Sequence, residues 1–293
     1  MSWAGRIAFI IILGSGLVPV EGAESKPKAK TAASVVQPEK KSTGPATKPE
    51  EKTPAQAEAP TVARSTARVQ WLGHSFIYIT TSTGVRIGMD PFDESIRLPF
   101  PSQLFSEVLL VSSTRDDHAG VERMNSLAVF RGDAALGPNR AHGYIFNGLK
   151  SYQDDDRGRV MGNNTIFAFE VDGVRFVHLG SLGHALNTRQ KDEMGRVDVL
   201  FLPVGLKQNS VAAWNKIARD TGAKIIIPLN YQTKDTPNLD LRPLDEFLQD
   251  QTFPLKKLDL PYFDINPNLL PSAPTVYLLP YPPLVPEAAA AAQ

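Results

Sequence analysis

The chain has five histidines and no cysteine, and this limits its chemistry. Without a thiol there is no cysteine nucleophile, no disulfide and no thiolate metal site. Metal binding and proton transfer fall to imidazoles and carboxylates. Asp117 and His118 are adjacent, just after Ser113 and Arg115, where a long apolar run ends. One aspartate and one histidine seldom hold a metal against water without a third ligand. Of the other imidazoles, His184 lies in a loop after a strand and is the best spare ligand. His178 shares a strand face with Val174 and Phe176 and is expected to pack. His74, in Gly-His-Ser, is expected to shape a turn, and His142 to lie on the surface. Ser113 and Ser181 could act as nucleophiles with His118 as base. Neither, however, sits in the Gly-x-Ser-x-Gly elbow, since Gly180-Ser181-Leu182-Gly183 is one residue short.

These residues need a scaffold, and the pattern supplies one. Segments 69–72, 76–79 and 85–89 read as short strands separated by turn residues. Segments 107–112, 197–203 and 224–229 are nearly continuous apolar runs, as buried central strands are. Asp172-Gly173 between two apolar runs predicts a tight hairpin. Val211, Trp214, Ile217 and Ala218 fall at helical spacing, and Leu244, Phe247 and Leu248 suggest a second helix. Strand pairs followed by strands alternating with helices imply sheets covered by helices.

The flanks are different in kind. Arg6, a short apolar run and the small residues Gly22 and Ala23 resemble a secretory signal over 1–23. The run is short for a membrane span, which needs ~20 residues; an uncleaved anchor is the alternative. No further transmembrane segment is expected. Residues 24–65, rich in proline, lysine and alanine, carry too little apolar surface to offset the entropy of ordering, so a disordered spacer is expected. Residues 66–285 form one domain-sized block, and 286–293 a flexible tail. Lysine plus arginine equals aspartate plus glutamate, 31 each. That balance argues against a nucleic-acid partner.

Val69-Gln-Trp-Leu-Gly-His-Ser-Phe76 and Gly88-Met-Asp-Pro-Phe92 open a series of motifs. It continues through Ser113-Thr-Arg-Asp-Asp-His-Ala-Gly120, Ser151-Tyr-Gln-Asp154 and Val177-His-Leu-Gly-Ser-Leu-Gly-His184. It ends with Val197 to Gly205 and Ile227-Pro-Leu-Asn-Tyr231. In this order the series resembles the metallo-β-lactamase-fold hydrolases, in particular the ascorbate-6-phosphate lactonase-like and phospholipase-D-like branches. The resemblance implies an α/β fold, a four-layer αββα sandwich. It also implies a site for two metal ions held by imidazoles, an aspartate and a bridging carboxylate, with a hydroxide as nucleophile.

Carried over position by position, the family's ligands fall on Ser113, Arg115, Asp117, His118, Gln153, Ser181 and Asn230. Only Asp117 and His118 match. Asp90, before Pro91, matches a supporting position that orients the motif loop. A permanent cation at 115 repels metal and is expected to pair with Asp116 or Asp117. With the signal-like N-terminus, the resemblance therefore leads to the expectation of an exported, non-catalytic binding or scaffolding relative with no metal cofactor, taking an unknown small molecule or protein as ligand. The alternative is a hydrolase of esters, lactones or phosphoesters with a rebuilt site. That site would hold one zinc or manganese through Asp117, His118 and His184, or no metal. Arg140, Lys150, Arg157 and Arg159, in a segment expected to form cleft loops, would suit an anionic ligand.

Overall fold

The computed structural model describes residues 66–115 and 117–280. The expected signal segment, the whole spacer and the tail lie outside the described residues, as does Asp116. None of the described helices is long and apolar enough to cross a membrane.

The chain opens with β1 (Ala67–Trp71), β2 (Ile77–Thr80) and β3 (Arg86–Met89), an antiparallel meander. Next come β4 (Phe105–Val111) and β5 (Asn125–Arg131), each parallel to its predecessor in the sheet. The hairpin of β6 (Gly137–Ala141) and β7 (Tyr144–Tyr152) begins a second sheet, continued antiparallel by β8 (Asn163–Val171) and β9 (Val174–His178). Thereafter strands and helices alternate: α1 (Thr188–Met194), β10 (Val199–Leu202), α2 (Val211–Thr221), β11 (Ile225–Pro228) and α3 (Leu244–Asp250). The chain ends with β12 (Leu255–Lys257), β13 (Tyr262–Ile265) and β14 (Thr275–Leu278). Strand order is β13-β1-β2-β3-β4-β5 in one sheet and β12-β14-β11-β10-β9-β8-β7-β6 in the other. β13 returns to β1 from far along the sequence, pairing Ala67 with Ile265.

This is the α/β class expected, with two mixed sheets sharing a core. Val108 and Leu110 of β4 enter the main cluster with Ile77, Ile79 and Ile87, while Leu109 and Val111 join a second cluster on the other face. The period-2 alternation of a strand splits one continuous apolar run between two buried faces. Phe146, Phe169, Phe176 and Phe201 form a ladder of rings across the eight-stranded sheet, with centroids 5.2, 5.6 and 6.3 Å apart. Helix α2 packs on β10, starts at the Ser210 cap and stops at Gly222 with φ +63. The second cluster is sealed by the segment 91–104, whose Phe92, Ile96 and Leu98 are buried around a single 3₁₀ turn.

Two details refine the sequence reading. Asp172-Gly173 makes the predicted two-residue turn, with φ +50 and +78 and Val171 facing Val174. The segment 139–162, expected to form cleft loops, is strand over 139–141 and 144–152. Asn139 belongs to β6, its Nδ2 bonding the carbonyls of Ala135, Gly137 and Phe146, and Lys150 pairs with Thr165 in β8.

In each sheet the strands that lead to the motif residues run parallel. The C-terminal ends of β1, β3 and β4, and of β7, β9 and β11, therefore bring His74, Asp90, the 112–118 segment, Gln153, Ser181 and Asn230 together. Close approach of the loops depends on glycine. A Cβ on Gly183 would lie 1.9 Å from the Gln153 carbonyl oxygen, whereas one on Gly84 would meet nothing within 4 Å. Gly183→Ala should therefore lower stability in urea by ~1–3 kcal/mol. Gly84→Ala should lose only ~1 kcal/mol, from its positive φ. Equal losses would show that the Gly183 contact relaxes freely.

Candidate functional site

Asp90 is fully buried where β3 ends, and four groups converge on it. Its Oδ1 accepts from the Ser112 backbone N–H at 2.7 Å, and its Oδ2 from Ser112 Oγ at 2.6 Å. His118 Nδ1 lies 2.7 Å from Oδ2. His178 Nε2 is 3.1 Å from the same oxygen, off the direction of a hydrogen bond, while His178 Nδ1 accepts from Gly180 N at 3.3 Å. Burial opposes ionisation of Asp90, but His118 and His178 outweigh it and hold the carboxyl far below its usual range.

The bond from His118 Nδ1 to Asp90 turns Nε2 the other way. There Nε2 meets Asn230 Nδ2 at 3.1 Å and Asp117 Oδ2 at 3.7 Å. His74 approaches the same groups, its Nε2 3.3 Å from Asp117 Oδ2 and 3.3 Å from Asn230 Nδ2. Ser75 Oγ shares its proton between the carbonyls of Asp90 and Asp117, at 2.9 and 2.7 Å. His74, Asp90 and Asn230 have φ of +50, +47 and +56. Non-glycine residues seldom adopt this region, so three at one site mark strain held in place by its surroundings.

Ligand atoms of His74, Asp117 and His118 all lie within 4.8 Å of one another, and all three residues are buried. Three nitrogen and oxygen donors are the protein's share of an open catalytic zinc site. A carboxylate behind a ligating imidazole, as Asp90 stands behind His118, fixes the ring's tautomer and direction. Buried His74 Nδ1 and Asn230 Oδ1 have no hydrogen-bond partner. By donor chemistry and orientation the group suits one cation.

Charge around the trio is finely set. Arg115, 32% exposed, grips Asp117 with Nε to Oδ1 at 2.8 Å and Nη2 to Oδ2 at 3.0 Å. Burial disfavours the Asp117 anion, but His118, His74 and Arg115 bring its pKa well below the usual value. Burial lowers the pKa of His74 despite Asp117. Burial also opposes charge on His118, but Asp117 and Asp90 together raise its pKa.

The remaining motif residues form an adjoining polar group. Ser113 Oγ and Ser181 Oγ are 3.5 Å apart, and Ser181 N donates to Asn164 Oδ1 at 2.8 Å. Gln153 Nε2 donates to the Asn163 carbonyl at 2.9 Å, and its buried Oε1 has no partner. His118 turns its two nitrogens toward Asp90 and toward Asn230 and Asp117, so it is not placed as a base for either serine. His184 does not join the trio, because its Nε2 accepts from Tyr152 N at 3.2 Å and its Nδ1 lies 2.8 Å from the Ala185 carbonyl. The third candidate ligand is instead His74, which the sequence reading gave only a turn. Its signal was an imidazole between glycine and serine at a strand end. His142 sits in the exposed β6–β7 turn.

A cavity of about 380 Å³ opens over His74 and Asp117, walled further by Ser95, Ile96, Arg115, Leu239, Asp240 and Leu241; His118 lies behind this wall, fully buried. Arg140, Lys150, Arg157 and Arg159 do not line it. A larger one of about 690 Å³, between β7 and α1, contains none of the trio.

Residues 68–230 match the family model of the β-lactamase superfamily domain. The chain belongs to the metallo-β-lactamase superfamily. Within it, the chain is 26% identical over 197 residues to a metal-dependent hydrolase of Methanobrevibacter smithii, covering 56% of this chain and 82% of that one. It is 25% identical over 195 residues to one of Geobacillus thermodenitrificans, covering 57% and 86%. A Thermotoga maritima structure assigned to the Zn-dependent hydrolases of the superfamily superposes with a TM-score of 0.56. It is 27% identical, and the match covers 73% of this chain and 98% of that one.

The buried carboxylates set the pH response. A lowered folded pKa contributes stability above the usual carboxylate value of ~4, and that stability is lost as pH falls toward the folded value. From ~6.5 downward, His74 opposes folding, whereas His118 supports it until pH rises through its own raised pKa. The thermal midpoint should therefore fall steeply below about pH 4. Asp90→Ala leaves His118 without its carboxylate and should cost ~3–5 kcal/mol near neutrality, with a shallower acid limb. A mutant melting like wild type across the pH range would show that Asp90 is not the anchor described.

Proposed function

We propose that this protein is a metal-dependent hydrolase with a single-cation site built from His74, Asp117 and His118, acting on a small ester, lactone or phosphoester. The observation that carries this reading is the convergence of the three buried donors, with His118 oriented by Asp90. The relatives named as metal-dependent hydrolases support it. A bound zinc or manganese would supply a water acidified toward neutral pH. Asp90 holds the His118 ring, and Ser75 and Asn230 brace the loops that carry Asp117 and His74. Ile96, Leu239 and Leu241 offer apolar wall to a substrate's carbon skeleton, and Arg115 and Ser95 offer donors to its oxygens.

Calorimetric titration with zinc or manganese should give one site per chain. His118→Ala and His74→Ala should each weaken binding at least tenfold, about 1.4 kcal/mol or more. No binding by the wild type and by the variant below would sink the reading.

One contact favours a second reading, a metal-free binding or scaffolding protein. Arg115 already engages both oxygens of Asp117, and its fixed charge opposes a second cation there. Arg115→Gln decides between the two. If the site is a cation site restrained by Arg115, the variant should bind zinc about tenfold or more tightly than wild type. If metal has no place there, neither form should bind.

A further inference from the structure

Each sheet ends in two strands with no strand partner on the outer side among the described residues: β13 and β5 in one, β12 and β6 in the other. An open edge presents unpaired N–H and C=O groups to any extended chain, and proteins blunt such edges with proline, charge or brevity. Three edges here are blunted. β6 contains Pro138 and Arg140. β12 has three residues, two of them Lys256 and Lys257. β13 has four, with Asp264 held by Arg68 at 2.8 Å.

β5 is not blunted. It has seven residues, and Asn125 to Phe130 include no charge, proline or glycine. Its inner side chains fix it to the body: Ser126 Oγ lies 2.8 Å from Ser106 Oγ, and the Phe130 ring 6.0 Å from that of Phe146. Its outward side chains include Leu127, 66% exposed, and Val129, 42% exposed. A long edge, uncharged over 125–130 and held in extended form, is preorganised for strand pairing.

We propose that β5 is a homodimer interface, at which two copies pair β5 against β5, antiparallel, about a two-fold axis through Ala128. The sequence of the strand is self-complementary in this register. Leu127 faces Val129 of the partner subunit, Ser126 faces the partner's Phe130, and Asn125 faces the partner's Arg131. The strand's single charge thus meets an amide rather than its own copy, and the exposed apolar residues meet each other. Val129 neighbours Leu109 in β4, so the new apolar strip continues the buried outer cluster. The zero formal net charge puts no general repulsion between copies. An isologous pairing of this kind closes on itself and leaves neither β5 edge open.

Sedimentation of the full chain at tens of micromolar should give the mass of a dimer. Leu127→Lys and Val129→Lys, both at exposed positions, should each give a monomer with an unchanged thermal midpoint extrapolated to infinite dilution. Since the chain has no cysteine, Ala128→Cys introduces a unique thiol on the axis. Mild oxidation should link two copies through it, while Lys216→Cys, on exposed α2, should stay unlinked under the same conditions. A monomeric wild type overturns the proposal, as does a dimer that survives both lysine substitutions.

Discussion

Everything at the candidate site hangs on one buried anion. Asp90 has no contact with solvent and would be costly to ionise alone. It is stable as an anion because Ser112 contributes two donors and His118 a third. Those bonds do more than neutralise it. They fasten the end of β3 to the loop after β4, and they choose which face of His118 looks outward. Without that choice, His118 Nε2 would have no reason to point at Asp117 and Asn230. The left-handed backbone at Asp90 is the local cost of placing one carboxylate under three elements at once.

A second balance sits above it. Asp117 is approached by His74, His118 and Arg115 together. The same carboxylate can serve a cation or a guanidinium, and the two compete for the same oxygens. The solvent-reaching position of Arg115 matters here, since a partly exposed side chain gives up a pairing at smaller cost than a buried one.

Buried central strands were legible from sequence because their apolar runs have a single explanation. The Asp172-Gly173 turn was legible because its backbone demands those residues. The strands β5 to β7 were not recognised: the alternation in 125–131 is half-exposed, and Pro138 and Arg140 make β6 read as loop. Helix α1 buries only Gln190 and Met194, so it shows no apolar stripe. At the site, ordered motifs located Asp90, Asp117, His118, Ser181 and Asn230 in one region without any structural knowledge. His74 was placed in the right loop, but its approach to Asp117 and His118 was not foreseen, because a left-handed residue at a strand end looks like turn chemistry until its neighbours are known. His184 was overvalued for the opposite reason, since sequence position cannot show that Tyr152 already occupies its ring nitrogen.

The return of β13 to β1 has a consequence for how the protein comes to exist. Arg68 and Asp264 are 196 residues apart in sequence, yet they are neighbours in the first sheet. During synthesis, β1 emerges early and lacks its outer partner until nearly the whole domain has left the ribosome. Closing so long a loop is slow relative to local pairing. A nascent chain would thus carry one bare strand of Val69 and Trp71 for most of its translation, an exposed surface of the sort chaperones engage.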